Sequence, residues 1–160
     1  ISDAVIVPTA NMFVGIQPTN VPTDVDPATL TNLIGVGCTN GDTVMQLYAA
    51  GAAAQAKTSL GANFPVNATL VEIYELSLYC PPNGSDVRYQ LIRLSTGDDA
   101  SGTISAAANL PANTTFMTTE MWRSNGGVGP WPPLQIIFFP PHSSHGSGLA
   151  GVGERQTNRA

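Results

Sequence analysis

Four aspartates offer the first material for chemistry in this chain. Asp24 and Asp26 flank Val25 in a proline-rich stretch, and Asp98 and Asp99 adjoin at the end of a patterned run. Paired carboxylates suit two tasks: holding Ca²⁺, which gathers many oxygens from flexible loops, and glycoside hydrolysis, which needs two carboxyls at a defined gap. No complete Ca²⁺ loop of the DxDxDG kind is present. Asp is also a common capping residue, so the plainer reading is that these acids close turns. The only histidines, His142 and His145, lie in a tail rich in Ser and Gly where nothing fixes their geometry. A working base must be held within hydrogen-bond reach of its partner. Cys38 and Cys80 have neither CxxC spacing nor a neighbouring His. They either form one bridge or stay free, and buried free thiols packed as small hydrophobes are expected. "GVGCTNG" (35–41) and "SNGGVG" (124–129) carry glycines without the lysine and following helix of a phosphate loop. No catalytic residue, metal or cofactor is expected.

Binding has better material. "MWRSNGG" (121–127) places Trp122, Arg123 and Asn125 at a strand end that runs into a turn. A flat ring covers the face of a pyranose while amide and charged groups meet its hydroxyls, so the trio forms a candidate saccharide site. The competing reading packs Trp122 into the core with its N–H bonded to backbone. Trp131, between Pro130 and Pro132, is a candidate interface anchor. Three Asn-x-Ser/Thr sites (Asn67, Asn83, Asn113) are glycan acceptors in a secreted eukaryotic protein and chance matches otherwise.

These residues must be positioned by strands. The 160 residues suffice for one domain with a real core. Hydrophobic content is 42% and charged content only 11%, with 16 Gly and 13 Pro, a palette of short strands and many turns. Six Lys and Arg, scattered singly against a net charge of −5, provide no stripe to neutralise phosphates, which argues against nucleic acid as a partner. No apolar run is long enough to span a membrane; "LQIIFF" (134–139) ends in Pro140-Pro141. The start at Ile1, without a leader, reads as a mature product or a fragment.

Along the chain, prolines at 18, 22 and 27 mark an irregular loop ending in a helical turn capped by Asp26, with Pro27 at its first position. Residues 33–48 read as a hairpin turning at Asn40-Gly41, a pair able to adopt the positive φ of a tight turn. "AAGAAAQAK" (49–57) reads as irregular strand or loop. From 69 to 80 the alternation puts Tyr74, Leu76, Leu78 and Cys80 on one face and Glu75, Ser77 and Tyr79 on the other. The returning strand opposes Val87, Tyr89 and Leu91 to Arg88 and Gln90, and slips near Ile92–Leu94, which suggests a bulge or burial on both faces. Glu75 and Arg88 are expected to pair weakly across strands. Residues 100–127 supply two more strands around Leu110-Pro111. The expected fold is all-β: an antiparallel β-sandwich or jelly roll over residues 1–141, with an irregular proline-rich loop and an extended or disordered C-terminal arm at 142–160.

The succession "MFVGIQP" (12–18), "LIGVGCTNGDTVMQLY" (33–48), "SLGANFP" (59–65), "YELSLYCPPNGSDVRYQLIRLSTG" (74–97), "LPANTT" (110–115) and "MWRSNGG" (121–127) resembles tailed-phage virion proteins, notably tail-fibre modules with a lectin-like jelly-roll sandwich. The resemblance covers 12–127. It departs at "PWPPLQIIFFPPHSSHG" (130–146), where the family has one more alternating strand. It implies a non-enzymatic virion component, in tail fibre or capsid decoration, a homotrimer contacting other virion subunits and host-surface saccharides. A secreted carbohydrate-binding module and a small glycosidase are the alternatives.

Overall fold

The computed structural model describes residues 10–18, 25–66, 72–82 and 84–124. Its strands are β1 (Asn11–Gln17), β2 (Leu33–Cys38), β3 (Gln46–Ala50), β4 (Thr58–Ser59), β5 (Tyr74–Tyr79), β6 (Val87–Arg93), β7 (Asp98–Ile104) and β8 (Thr118–Ser124). Two single turns of 3₁₀ helix, Pro27–Thr29 and Ala107–Asn109, interrupt the loops. The first is built as its residues dictate: Asp26 Oδ1 accepts from the Ala28 amide at 2.8 Å, and Pro27 starts the turn where no amide is needed.

The strands form two antiparallel sheets, ordered β4-β3-β2-β1-β8 and β5-β6-β7. Each sheet is a meander of sequential hairpins, and β8 returns across the other sheet to lie beside β1. Among the described residues that makes one Greek-key return. The fold is an all-β antiparallel sandwich, as the alternation and turn spacing imply. The proposed boundary at 141 and the arm at 142–160 lie outside the described residues.

The sheets face each other across a cluster of Met12, Ile34, Val36, Cys38, Met45, Leu47 and Phe64 on one side and Val87, Leu91 and Ile104 on the other. Tyr74, Leu76, Leu78 and Tyr89 pack against it, the inward set that the period-2 pattern assigns to β5 and β6. The centre of the five-stranded sheet is also dry on its other face, although β4 and the start of β8 are exposed. There Phe13, Leu33, Tyr48, Ala50 and Trp122 form a second cluster, with Ala28 and Leu30 of the proline-rich loop packed on it. Phe13 is the hub, its ring centroid 6.4 Å from Tyr48 edge-on and 6.2 Å from Trp122. Glycine makes room for it: a Cβ on Gly35 would lie 2.3 Å from the Val14 carbonyl oxygen and 2.8 Å from the Phe13 ring.

The hairpin at Asn40-Gly41 differs from the tight two-residue form. Gly41 alone has positive φ (83°), and ladder pairing stops at Gly37↔Gln46. Asp42 stabilises this wider turn by accepting the Thr39 amide at 2.8 Å, and Lys57 holds Asp42 at 2.7 Å. Residues 51–57 are irregular.

The three-stranded sheet is wet on its outer face. Ile92 does not mark a bulge: register runs unbroken from Tyr74↔Arg93 to Tyr79↔Arg88. Instead the polarity of the two faces inverts at the sheet's end. Arg93 takes the inward place in step with Leu91, while Ile92 and Leu94 turn outward with Ile73. Glu75 lies opposite Ile92, and Arg88 opposite Tyr79, so the expected Glu75–Arg88 pairing does not form directly across strands.

Two tyrosines provide a test. Tyr74 donates its hydroxyl to the Pro65 carbonyl at 2.6 Å, tying the smaller sheet to the segment beside Phe64. The Tyr48 hydroxyl is buried with no hydrogen-bond partner among the described residues. Tyr74→Phe should therefore cost about 1 kcal/mol of unfolding free energy, whereas Tyr48→Phe should leave stability equal or higher, because it removes an unsatisfied buried group. Urea unfolding of the two variants distinguishes them.

Candidate functional site

Among the described residues the densest gathering of ionisable groups lies where the polarity inverts, at the rim of the sandwich. Arg93 reaches Glu72 through both guanidinium edges, Nε to Oε2 at 2.5 Å and Nη2 to Oε1 at 2.6 Å. Its Nη1 donates to the Asn63 carbonyl at 3.0 Å and lies 3.8 Å from Asp98. The Ser95 hydroxyl donates to Glu72 at 2.9 Å. Strand parity supplies this geometry: Glu72 and Tyr74 on one strand and Leu91 and Arg93 on its neighbour all point inward, and the rim lets the charged heads meet. The Arg93 hydrogen bonds hold the Glu72 carboxyl below its usual range, with Ser95 assisting and burial opposing. Glu72 in turn raises Arg93.

Three donors, the two arms of the Arg93 fork and the Ser95 hydroxyl, occupy most of the roughly four acceptor sites of the Glu72 carboxylate, so this cluster works as a clamp. It joins the sheets, since Asn63 belongs to the segment leading to Phe64 and Pro65, whose backbone pairs with Val44. Sequence reading missed it, although the signal was present: a Glu and an Arg at inward positions of adjacent strands.

The candidate acids separate. Asp26 caps the turn over the outer face of the five-stranded sheet. Asp98 and Asp99 sit on β7 in the other sheet, where Asp98 accepts from Thr96 at 2.5 Å and Asp99 from Gln90. Asp24, His142, His145 and Trp131 lie outside the described residues. Among the described residues no group of His, Cys, Asp and Glu is arranged to hold a metal ion.

Trp122 and Arg123 do not converge either. Trp122 is opposite Phe13 and only 6% exposed, its ring turned into the aromatic cluster on the outer face. Its Nε1 has no hydrogen-bond partner among the described residues, so the ring is packed without the backbone bond that a buried indole usually makes. Arg123, opposite Met12, points to the inter-sheet side, is equally buried and is engaged within the protein. Burial lowers its pKa. Asn125 lies outside the described residues. A saccharide platform needs an open ring face, which Trp122 in this arrangement does not offer.

Both cysteines are free, as expected, but only Cys38 is buried; Cys80 is exposed just past the end of β5. Burial pushes the Cys38 thiol up to about 12, with Asp42 adding to the rise and Lys57 opposing it. Asn113 is exposed in a turn, and Asn67 and Asn83 lie outside the described residues. Among the described residues no helix is long and apolar enough to cross a membrane.

Two measurements test these assignments. The depressed pKa of Glu72 means its contribution to stability is present above the unfolded-state value, ~4.3, and is lost as pH falls through the folded value. Thermal melts of the parent chain should therefore fall as pH drops below ~4.3, and Glu72→Gln should flatten that part of the profile. In thiol titration one cysteine, Cys80, should react in the native state; Cys38 should react only after unfolding, because the thiolate is the nucleophile.

No family model, no curated protein and no solved structure matches the chain, so its function is argued from the arrangement of its own side chains.

Proposed function

We propose that this chain is a structural component of a tailed-phage virion, in a tail fibre or as a capsid decoration, acting by contact and not by bond-making. The observation that carries the reading is the inverted rim of the three-stranded sheet. Ile73 and Leu94, joined by the Leu94 amide to the Ile73 carbonyl at 2.8 Å, are 36% and 45% exposed on the outer face. Tyr79 shares that face at 57% exposed. Scattered single apolar residues are ordinary on a surface, but neighbouring ones beside ionic groups turned inward favour a covered face. Phe116 adds a second apolar point, 96% exposed in the loop before β8.

The charge-poor composition supports the same reading, and the motif order of the sequence supplies the virion context. A second copy of the chain is the partner expected at this face, within a homotrimer. The secreted binding-module and glycosidase alternatives gain no support: Trp122 is buried, and the described acids lie in different layers.

Sedimentation of the full chain tests the reading. A trimer that Leu94→Lys dissociates, without change in the melting temperature, supports it. A chain that stays monomeric at every concentration and does not co-sediment with virions overturns it.

A further inference from the structure

The two sheets do not close completely at the flank where β3 and β4 face β7. A cleft of about 260 Å³ opens there, floored by Leu47 and Ile104. Its origin is in the side chains: Ala49, Ala56 and Ala106 line it, and three methyl groups cannot fill the gap between layers that larger residues fill elsewhere. The alanine-rich segment 49–57 thereby gains a role that its weak secondary-structure signal conceals.

The polar lining is neutral. Thr58, Ser105, Asn109 and the phenol of Tyr89 border the cleft, and no Lys, Arg, Asp or Glu does; Thr103 borders it too, but it is paired with Arg88 and its side chain belongs to the outer face. None of the four makes a side-chain hydrogen bond to another described residue, so their donors and acceptors are uncommitted. Tyr89 is pre-positioned: it is paired with Gly102, and a Cβ there would lie 2.9 Å from its ring, so the ring rests over the glycine. An aromatic ring held on a strand, small apolar walls and several neutral hydroxyl and amide groups are the usual ingredients of a small-ligand site.

We propose that this cleft binds a single neutral sugar ring or a cyclic polyol of that size. The volume lies just below the usual range of about 300–1,000 Å³ for ligand pockets, which limits the occupant to one ring. Hydroxyls and an amide match a ligand that both donates and accepts, and the Tyr89 ring offers an apolar surface to its C–H groups. Absence of a cation in the lining and the net charge of −5 disfavour an anionic sugar. The proposal deepens the contact reading by naming what a non-catalytic virion protein would hold, at a position well apart from Trp122.

The test is an amide-resolved NMR titration of the full chain with D-glucose, D-galactose and N-acetyl-D-glucosamine, with D-glucuronate as the charged comparison. Expected are saturable shifts centred on Ala49, Thr58 and residues 103–109 for at least one neutral sugar, with a Kd of about 1 mM. Ala106→Phe, at an exposed lining position, should fill the cleft and weaken binding about tenfold or more. Asn109→Ala should weaken it with no change in melting temperature, since that side chain makes no hydrogen bond to another described residue. No saturable shift with any neutral sugar, shifts centred elsewhere, or binding indifferent to both substitutions overturns the proposal. Failure here with a trimer intact removes only the sugar site. Sugar binding by a persistent monomer removes only the assembly reading.

Discussion

A sheet whose centre is buried on both faces has no side there that can carry polar groups, and the rest of this molecule is arranged around that constraint. β1 and β2 lie in the interior of the five-stranded sheet, and all six residues of β2 are buried. Such a strand cannot alternate; it must be apolar or small throughout. "LIGVGC" meets the condition with branched residues toward the smaller sheet and with glycines sharing the aromatic face, where Phe13 takes the space. The low charge of the whole chain follows in part from this, because a large share of its strand residues has no access to water.

The cost of dryness falls on the few polar atoms left inside. Asn11 is buried and satisfied, accepting from the Thr39 hydroxyl at 2.6 Å. The Tyr48 hydroxyl and the Trp122 indole N–H find no partner among the described residues, so the aromatic face trades hydrogen bonds for packing. The smaller sheet solves the opposite problem. It needs one dry face only, and it ends in Arg93 and Glu72, where a bidentate ion pair with further bonds to Ser95 and Asn63 closes the gap between layers. Charge at the rim and grease at the centre divide the work of holding two sheets together.

How much of this was legible depended on which period the residues obeyed. β5 and the start of β6 alternate cleanly, and their inward sets were readable residue by residue. The Asp26-Pro27 turn was readable because both residues act locally. The Glu72–Arg93 clamp was hidden by its own success: an inward Arg breaks the apolar pattern and looks like a slip until its partner on the next strand is known. The burial of Trp122 was not legible for another reason. A strand with one wet face and a strand with none differ only in what packs beyond them, and the proline-rich loop that brings Ala28 and Leu30 over Trp122's cluster carries no periodic signal. The fate of Cys80 turned on a single residue, since the strand ends at Tyr79.

The pairing of the first described strand with the last has a mechanical consequence. Asn11 lies opposite Ser124, so the first and last strand positions of the described chain meet at one corner, with the β1–β8 ladder running away from both. A tug between those two points would load the ladder like a zipper, one rung at a time, and never all seven rungs in parallel. Such a module yields early when pulled by its own ends, and it can be spliced into a longer chain without forcing the two leads apart.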